Sequence, residues 1–191
     1  MEELYAESVS GIIHRGGTIL KSSRSLRFTT SEGRAQAFAQ LQKHTVEALV
    51  VIGGDGSFSG ARAFVQEHSI PLVAIPKTID NDIAGTDVSI GYDTACNTAM
   101  EAMDKIRDTA ESHNKIFFVE VMGRDAGFIA YRTGLSIGAE AIYIPESRND
   151  LDHLYSLLER GWDHLPHSIV VVVAEGDEAG GAVNIAKKVA E

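Results

Sequence analysis

The stretch Val50-Val-Ile-Gly-Gly-Asp-Gly-Ser-Phe-Ser-Gly-Ala61 decides the fold. Three β-branched residues run into paired glycines, and a helical pattern follows at 58–67. A short continuous apolar run bounded by glycine reads as a strand buried on both faces of a parallel sheet. The glycines let backbone N–H groups approach an anion closely, and the helix N-terminus beyond them favours negative charge. Asp55 inside this turn conflicts with a bare phosphate, because like charges repel. A divalent cation between them removes the conflict, since Mg²⁺ is typically held through one or two carboxylates plus substrate phosphates. A tight strand-to-helix turn without a ligand is the competing reading of this stretch alone. Gly54-x-Gly56-x-x-Ser59 misses the dinucleotide fingerprint at its third glycine. The Walker ending Gly-Lys-Ser/Thr is absent, and Ser57 is not in a Gly-x-Ser-x-Gly elbow.

Similar apolar runs recur outward from this stretch, at Glu47–Ile52, Leu72–Ile75, Ile116–Val121, Ala141–Ile144 and Ile169–Ala174. Helical patterns lie between them, at 33–44, 58–67, 93–113, 126–137, 150–163 and 180–190. The alternation predicts an α/β fold, a parallel sheet flanked by helices with right-handed crossovers. Ligands gather at the carboxyl ends of the strands of such sheets. The span 76–90 reads as a long structureless link, and a boundary between two α/β lobes is expected near residue 91.

Composition narrows the function. A chain of 191 residues forms one large domain or two small ones. The formal net charge of −10 argues against nucleic acid as a partner, which needs a basic face. Five basic residues (Arg15, Lys21, Arg24, Arg27 and Arg34) against the single acid Glu32 form a local exception, read either as a pocket for a small anion or as a solvated basic loop. The longest apolar run, Ile169–Ala174, falls far short of the roughly 18 residues of a membrane span. A single cysteine, Cys96, excludes an intrachain disulfide and fits a reducing compartment. Residues 1–10 lack the apolar core of a signal peptide and read as an abrupt start.

Two further stretches carry chemistry. Pro76-Lys-Thr-Ile-Asp-Asn-Asp-Ile-Ala-Gly-Thr-Asp87 places Asp80 and Asp82 two residues apart, which puts them on one side of an extended segment. A carboxylate beside a substrate hydroxyl accepts its proton during phosphoryl transfer. Lys77 balances the carboxylates or contacts phosphate. The bland alternative is a turn in which Asn and Asp bond their own backbone. In Val119-Glu-Val-Met-Gly-Arg-Asp-Ala-Gly127, Arg124 follows a strand and is suited to neutralise charge on a transferring phosphoryl group; the alternative is a surface pair with Asp125. Glu175, at another strand end, binds a sugar hydroxyl or caps a turn. His164-x-x-His167 spans Pro166 without further ligands nearby and does not predict zinc; Met100 and Met103 read as core.

Taken together, Arg15-Gly-Gly-Thr18 with Arg24, Gly53-Gly-Asp-Gly-Ser57, Pro76-Lys-Thr-Ile-Asp-Asn-Asp82, Gly85-Thr-Asp87 and Met122-Gly-Arg124 resemble the signatures of the 6-phosphofructokinase family, in its order and spacing. The resemblance implies a Rossmann-like three-layer fold and transfer of a phosphoryl group to the 1-hydroxyl of fructose 6-phosphate. It implies Asp80 as base, with Thr78 and Arg124 stabilising the transferred group, and Asp55 handling Mg²⁺. It places Arg24, Gly54, Gly56, Ser57, Gly60 and Lys77 on the phosphoryl donor. Asp82, Met122, Gly123 and Glu175 would hold the sugar phosphate. Lys115 stands where many bacterial members place an arginine that reaches a neighbouring subunit's substrate, which implies a homo-oligomer. Residues 1–91 would belong to the donor lobe and 92–191 to the sugar-phosphate lobe, in a cytoplasmic enzyme.

The chain also departs from the family pattern. The family's opening glycine-rich donor loop and its later segment bearing histidine and arginine are missing. The chain therefore resembles a central, truncated part of the enzyme, and little or no kinase activity is expected of it alone. Lys115 keeps a charge but loses the arginine fork. Ala6 replaces an effector-binding arginine of some bacterial members, whereas Arg107 and Glu140 match other effector positions. Gly56 with Lys77 resembles one branch of ATP users; pyrophosphate is the alternative donor. The other rivals are a non-catalytic sugar-phosphate-binding module, a lipid or NAD kinase sharing only Gly-Gly-Asp-Gly, and a dinucleotide-binding oxidoreductase.

Overall fold

The computed structural model describes residues 3–113, 115–147, 151–164, 169–178 and 180–190. The chain divides into two compact units, Met1–Val46 and Glu47–Glu191. The first contains two 3-10 turns, Ala6–Val9 and Leu26–Thr29, and helix α1, Ser31–Lys43. Thr30 caps α1, its hydroxyl accepting from the Gly33 N–H at 3.1 Å. Arg34 ties the helix back to the preceding turn by donating to the carbonyls of Phe28 (3.1 Å) and Thr29 (2.9 Å). None of the described residues of this unit is fully buried.

The second unit is α/β with parallel sheets flanked by helices, as expected. Its elements are β1 (Leu49–Gly53), α2 (Asp55–Glu67), β2 (Leu72–Thr78), β3 (Ile90–Gly91), α3 (Tyr92–His113), β4 (Ile116–Val121), α4 (Phe128–Ile137), β5 (Ala141–Tyr143), α5 (Leu151–His164), β6 (Ile169–Ala174) and α6 (Ala182–Ala190). The strands form two parallel three-stranded sheets, ordered β1-β2-β3 and β4-β6-β5. Two boundaries differ from expectation in ways that matter. Helix α2 begins at Asp55 rather than 58, so Asp55, Gly56 and Ser57 are its first turn, with Gly54 as N-cap. The link 76–90 is not wholly structureless: β2 extends to Thr78, and β3 begins at Ile90.

Strand β6 is buried along its whole length, as its unbroken valines require. Val171 and Val173 pack with Tyr143, Leu154 and Ile185, while Val170 and Val172 pack with Met103 and Ala130. Met103 is thus core. The first sheet differs from the expectation of strands buried on both faces. Helix α2 packs on β1 and β2, burying Ala61 and Phe64. In β1, Leu49 and Val51 are half-buried, but Val50 and Ile52 remain 63% and 51% exposed, with the paired Val73 at 62%. Continuous apolarity in this sheet marks a face left open on the described chain. Among the described residues, no helix is long and apolar enough to cross a membrane.

Candidate active site

The carboxyl ends of four strands meet. Gly53 at the end of β1 pairs with Pro76 in β2, so the glycine turn lies beside the Pro76–Asp87 loop. The approach is close: a Cβ on Gly54 would meet the Thr78 Cβ at 3.2 Å. A Cβ on Gly53 would come within 2.6 Å of the Ser57 hydroxyl. These glycines therefore pack the turn against its neighbours. Asp55, Gly56 and Ser57 are exposed at the start of α2, where a helix favours anions, and Gly60 is half-buried one turn later.

Thr78 closes β2, and its hydroxyl donates to Asp80 Oδ2 at 3.0 Å while accepting from the Asp80 N–H at 3.2 Å. Asp80 is buried. That burial is the main cause pushing its carboxyl above the ordinary range. Asp82 and Glu175 push in the same direction, while the Thr78 hydrogen bond and Arg124 oppose it. A buried carboxyl with a raised pKa, beside an arginine at a strand end, suits a proton acceptor.

Asp82 Oδ2 lies 3.6 Å from an Arg124 Nη. Its other oxygen, Oδ1, is buried and has no hydrogen-bond partner among the described residues. A buried acceptor left unmade is costly, so this atom is poised for a ligand donor. The two aspartates do not converge by strand alternation, contrary to the reading from spacing. The strand stops at Thr78, and Asn81 between them adopts φ +57°, turning the chain in the left-handed region.

Arg124 arrives from the other sheet. It follows Gly123 (φ +151°) and has φ +54° itself, a conformation costing an L-residue about 1–2 kcal/mol. Such strain persists only where the surroundings over-determine it. Here Glu175, just past β6, accepts from the backbone N–H groups of Gly123 (3.1 Å) and Arg124 (2.6 Å) through Oε1. Gly176 stands so close that a Cβ there would overlap the Arg124 carbonyl. Glu146, past β5, accepts from the Gly127 N–H at 2.8 and 3.1 Å, fixing the start of α4. The expected alternative, an Arg124–Asp125 surface pair, gives way to the Arg124–Asp82 pair. Met122, just past β4, is 61% exposed.

Lys77 is exposed within β2. Lys115 immediately precedes β4, at the end opposite Met122. At about 3.3 Å per residue, six strand residues separate it from the site by roughly 20 Å, so one chain does not bring it to Asp80. Arg24 belongs to the first unit, where it is exposed; its neighbours Arg27 and Arg34 bond Gln36 and backbone carbonyls there. Arg107 and Glu140 form an ion pair of 3.4 Å, and Glu140 also accepts from the Val170 N–H at 2.7 Å. His167 lies outside the described residues. Among the described residues, no group of three or more His, Cys, Asp or Glu side chains is arranged to hold a metal. Mg²⁺ that takes its remaining ligands from phosphate and water needs no such group. From sequence, Asn81 enters only as part of an Asn/Asp turn, and Glu146 is not singled out. An asparagine between two aspartates is a left-handed turn signal, whereas nothing local marks Glu146.

The phosphofructokinase family model matches residues 1–191. Among curated proteins, the chain is 50% identical over 189 residues to the "ATP-dependent 6-phosphofructokinase 2" of Bacteroides thetaiotaomicron, covering 99% of this chain and 58% of that protein. It is 52% identical over 191 residues to the "ATP-dependent 6-phosphofructokinase 1" of Thermus thermophilus, covering 100% of this chain and 59% of that one. Among solved structures, phosphofructokinase from Saccharomyces cerevisiae superposes with a TM-score of 0.86 at 33% identity, covering 96% of this chain and 28% of that one. The chain thus spans somewhat more than half the length of the curated relatives it matches.

Proposed function

Since the chain belongs to the phosphofructokinase family, we propose that it supplies the catalytic core of an ATP-dependent 6-phosphofructokinase. The observation that carries this reading is the convergence of buried Asp80 with Asp82, Arg124 and Glu175, groups from two sheets, at one set of strand ends. Asp80 takes the proton of the 1-hydroxyl of fructose 6-phosphate as that oxygen attacks the γ-phosphorus of ATP. The bond to the β–γ bridging oxygen breaks, giving fructose 1,6-bisphosphate and ADP. Arg124 and Thr78 stabilise charge on the phosphoryl group in transit. The unpartnered Oδ1 of Asp82 accepts from the sugar, with Met122, Gly123 and Glu175 completing the grip on its phosphate-bearing body.

Arg24, Gly54, Gly56, Ser57, Gly60 and Lys77 serve the donor. A single exposed carboxylate at a helix start fits Mg²⁺, so Asp55 is the residue that would hold it, and the ion would neutralise donor phosphate charge there. Residues 1–91 are assigned to the donor lobe and 92–191 to the sugar-phosphate lobe. The two separate three-stranded sheets support that division. The position of Lys115, far from the site of its own chain, supports a homo-oligomer in which it serves a neighbour's substrate. A cytoplasmic location accompanies this reading.

The test is a coupled assay on a polypeptide of full family length containing this chain, with ATP and pyrophosphate as separate donors. Turnover of fructose 6-phosphate with ATP well above that with pyrophosphate is expected. A preference for pyrophosphate overturns the donor assignment. Binding of the sugar phosphate without turnover by either donor reveals a binding module instead.

A further inference from the structure

Asn81 sits between the two carboxylates assigned to proton transfer and sugar binding, yet no chemical role falls to it. Its backbone is left-handed, at φ +57°. Asparagine tolerates this region better than other non-glycine residues, because its short polar side chain bonds locally. The bonding here reaches further than its own turn. Oδ1 accepts from the Ser89 N–H at 2.8 Å, and Nδ2 donates to the Asp87 carbonyl at 3.3 Å. Ser89 is buried, and its hydroxyl donates to the Thr78 carbonyl at 2.7 Å while also lying 3.1 Å from Asn81 Oδ1. The segment leaving β2 and the segment entering β3 are therefore fastened together, and residues 82–88 close into a loop.

This fastening has a geometric consequence. Asp80 stays beside Thr78, from which it receives a hydrogen bond at 3.0 Å. The left-handed turn then carries Asp82 back toward Arg124, at 3.6 Å. An extended residue at 81 sends Asp82 elsewhere, and an unfastened one leaves the pair without a fixed spacing. We propose that Asn81 is a positioning residue of the proposed phosphoryl transfer, whose side-chain bonds to Asp87 and Ser89 set Asp80 and Asp82 in one site. This inference rests on the function proposed above.

Asn81→Gly keeps the left-handed backbone and removes the side-chain bonds. Ser89→Ala removes a single hydroxyl and keeps the Ser89 N–H bond to Asn81. In the polypeptide of full family length, Asn81→Gly is expected to lower kcat for fructose 6-phosphate and MgATP by about 10- to 100-fold, the scale of a small misplacement of a reacting group. KM for the sugar should rise as well, because Asp82 loses its fixed place together with Asp80, and Ser89→Ala should lie between wild type and Asn81→Gly. A second readout needs no turnover. The Asp80 side-chain carbon is titrated by NMR in the present chain, wild type and Asn81→Gly. Asp82, Arg124 and Glu175 face Asp80 in both proteins, and its burial is the main cause of its raised pKa. Release of the loop should move its midpoint down toward the ordinary carboxylate range. A merely structural residue moves only the melting temperature. An unchanged kcat together with an unchanged Asp80 midpoint overturns the inference and leaves the function standing. Absence of wild-type turnover overturns the function instead, and the Asp80 midpoint then decides the role of Asn81 by itself.

Discussion

The two sheets solve different problems. The second sheet surrounds β6, whose Val170, Val171, Val172 and Val173 are completely buried between helices on both sides. The first sheet is packed against α2 and leaves Val50, Ile52 and Val73 open on its other face. The residues proposed for the chemistry divide along the same line. Asp55, Thr78, Asp80 and Asp82 come from the thin sheet, whereas Arg124 and Glu175 come from the thick one. Their supports differ accordingly. The Pro76–Asp87 loop is set by side-chain hydrogen bonds among Thr78, Asp80, Asn81 and Ser89. The Arg124 turn is set by the carboxylates of Glu175 and Glu146 on backbone N–H groups, with Gly176 packed against it. A site spanning the two sheets is thus held by two kinds of contact, which substitutions can separate.

The largest effect is expected on the thin side. In the polypeptide of full family length, Asp80→Asn should lower kcat by about 10²–10⁴-fold, the usual contribution of a positioned proton acceptor. The same change should favour stability at neutral pH, and the sign follows from the raised pKa. The folded protein holds the Asp80 proton more firmly than the unfolded chain does. The stability associated with that proton is present below the unfolded value of about 4 and is lost as pH rises through the folded value. The amide that replaces the carboxyl does not titrate, so melting temperatures of the variant should gain on wild type between pH 4 and pH 8. An equal difference at both ends breaks the assignment of burial as the main cause.

On the thick side, Arg124→Ala should cost about 10²–10³-fold in kcat, comparable to removing one preorganised electrostatic donor. Arg124→Lys should recover only part of this, because lysine keeps the charge and loses the planar fork. Glu175→Gln sharpens the comparison further. The amide still accepts from the Gly123 and Arg124 N–H groups but loses charge-assisted strength. Glu175→Gln is expected to lower both stability and kcat, because one carboxylate supports a strained turn and is proposed to hold the sugar. A loss of kcat at unchanged melting temperature assigns Glu175 to substrate alone.

Much of this was legible in the sequence. The runs at 116–121 and 169–174 match β4 and β6, because a strand buried on both faces must be continuously apolar. The same signal at 47–52 found β1 but misread its environment: apolar composition reports what a face can be covered by, and not what covers it. Asp80, Asp82 and Arg124 stand out in the sequence because charged residues at strand ends have few structural uses. How they meet does not. The route depends on a left-handed Asn81, and on Glu175, which lies 51 residues from the Arg124 N–H it holds. Periodicity carries no information about contacts of that kind. From sequence Asp55 reads as part of a turn, whereas it stands in the first turn of α2, because glycines obscure a helix start.

The smallest expected effect tests the open face itself. Val172→Ala removes two buried methyl groups from β6, which should cost about 2 kcal/mol at roughly 0.8 kcal/mol per buried CH₂ plus a cavity term. Val50→Ala makes the same chemical change on a side chain that is 63% exposed, and should fall within about 0.5 kcal/mol of wild type. Urea denaturation of both variants measures the contrast directly. Equal losses would mean that Val50 is covered in solution, by another copy or by further polypeptide. The two cases separate by concentration: a midpoint that rises with protein concentration identifies a second copy on this face, because only an association between chains depends on it. A midpoint independent of concentration, with Val50→Ala close to neutral, leaves β1 and β2 as a sheet with one open face in the present chain.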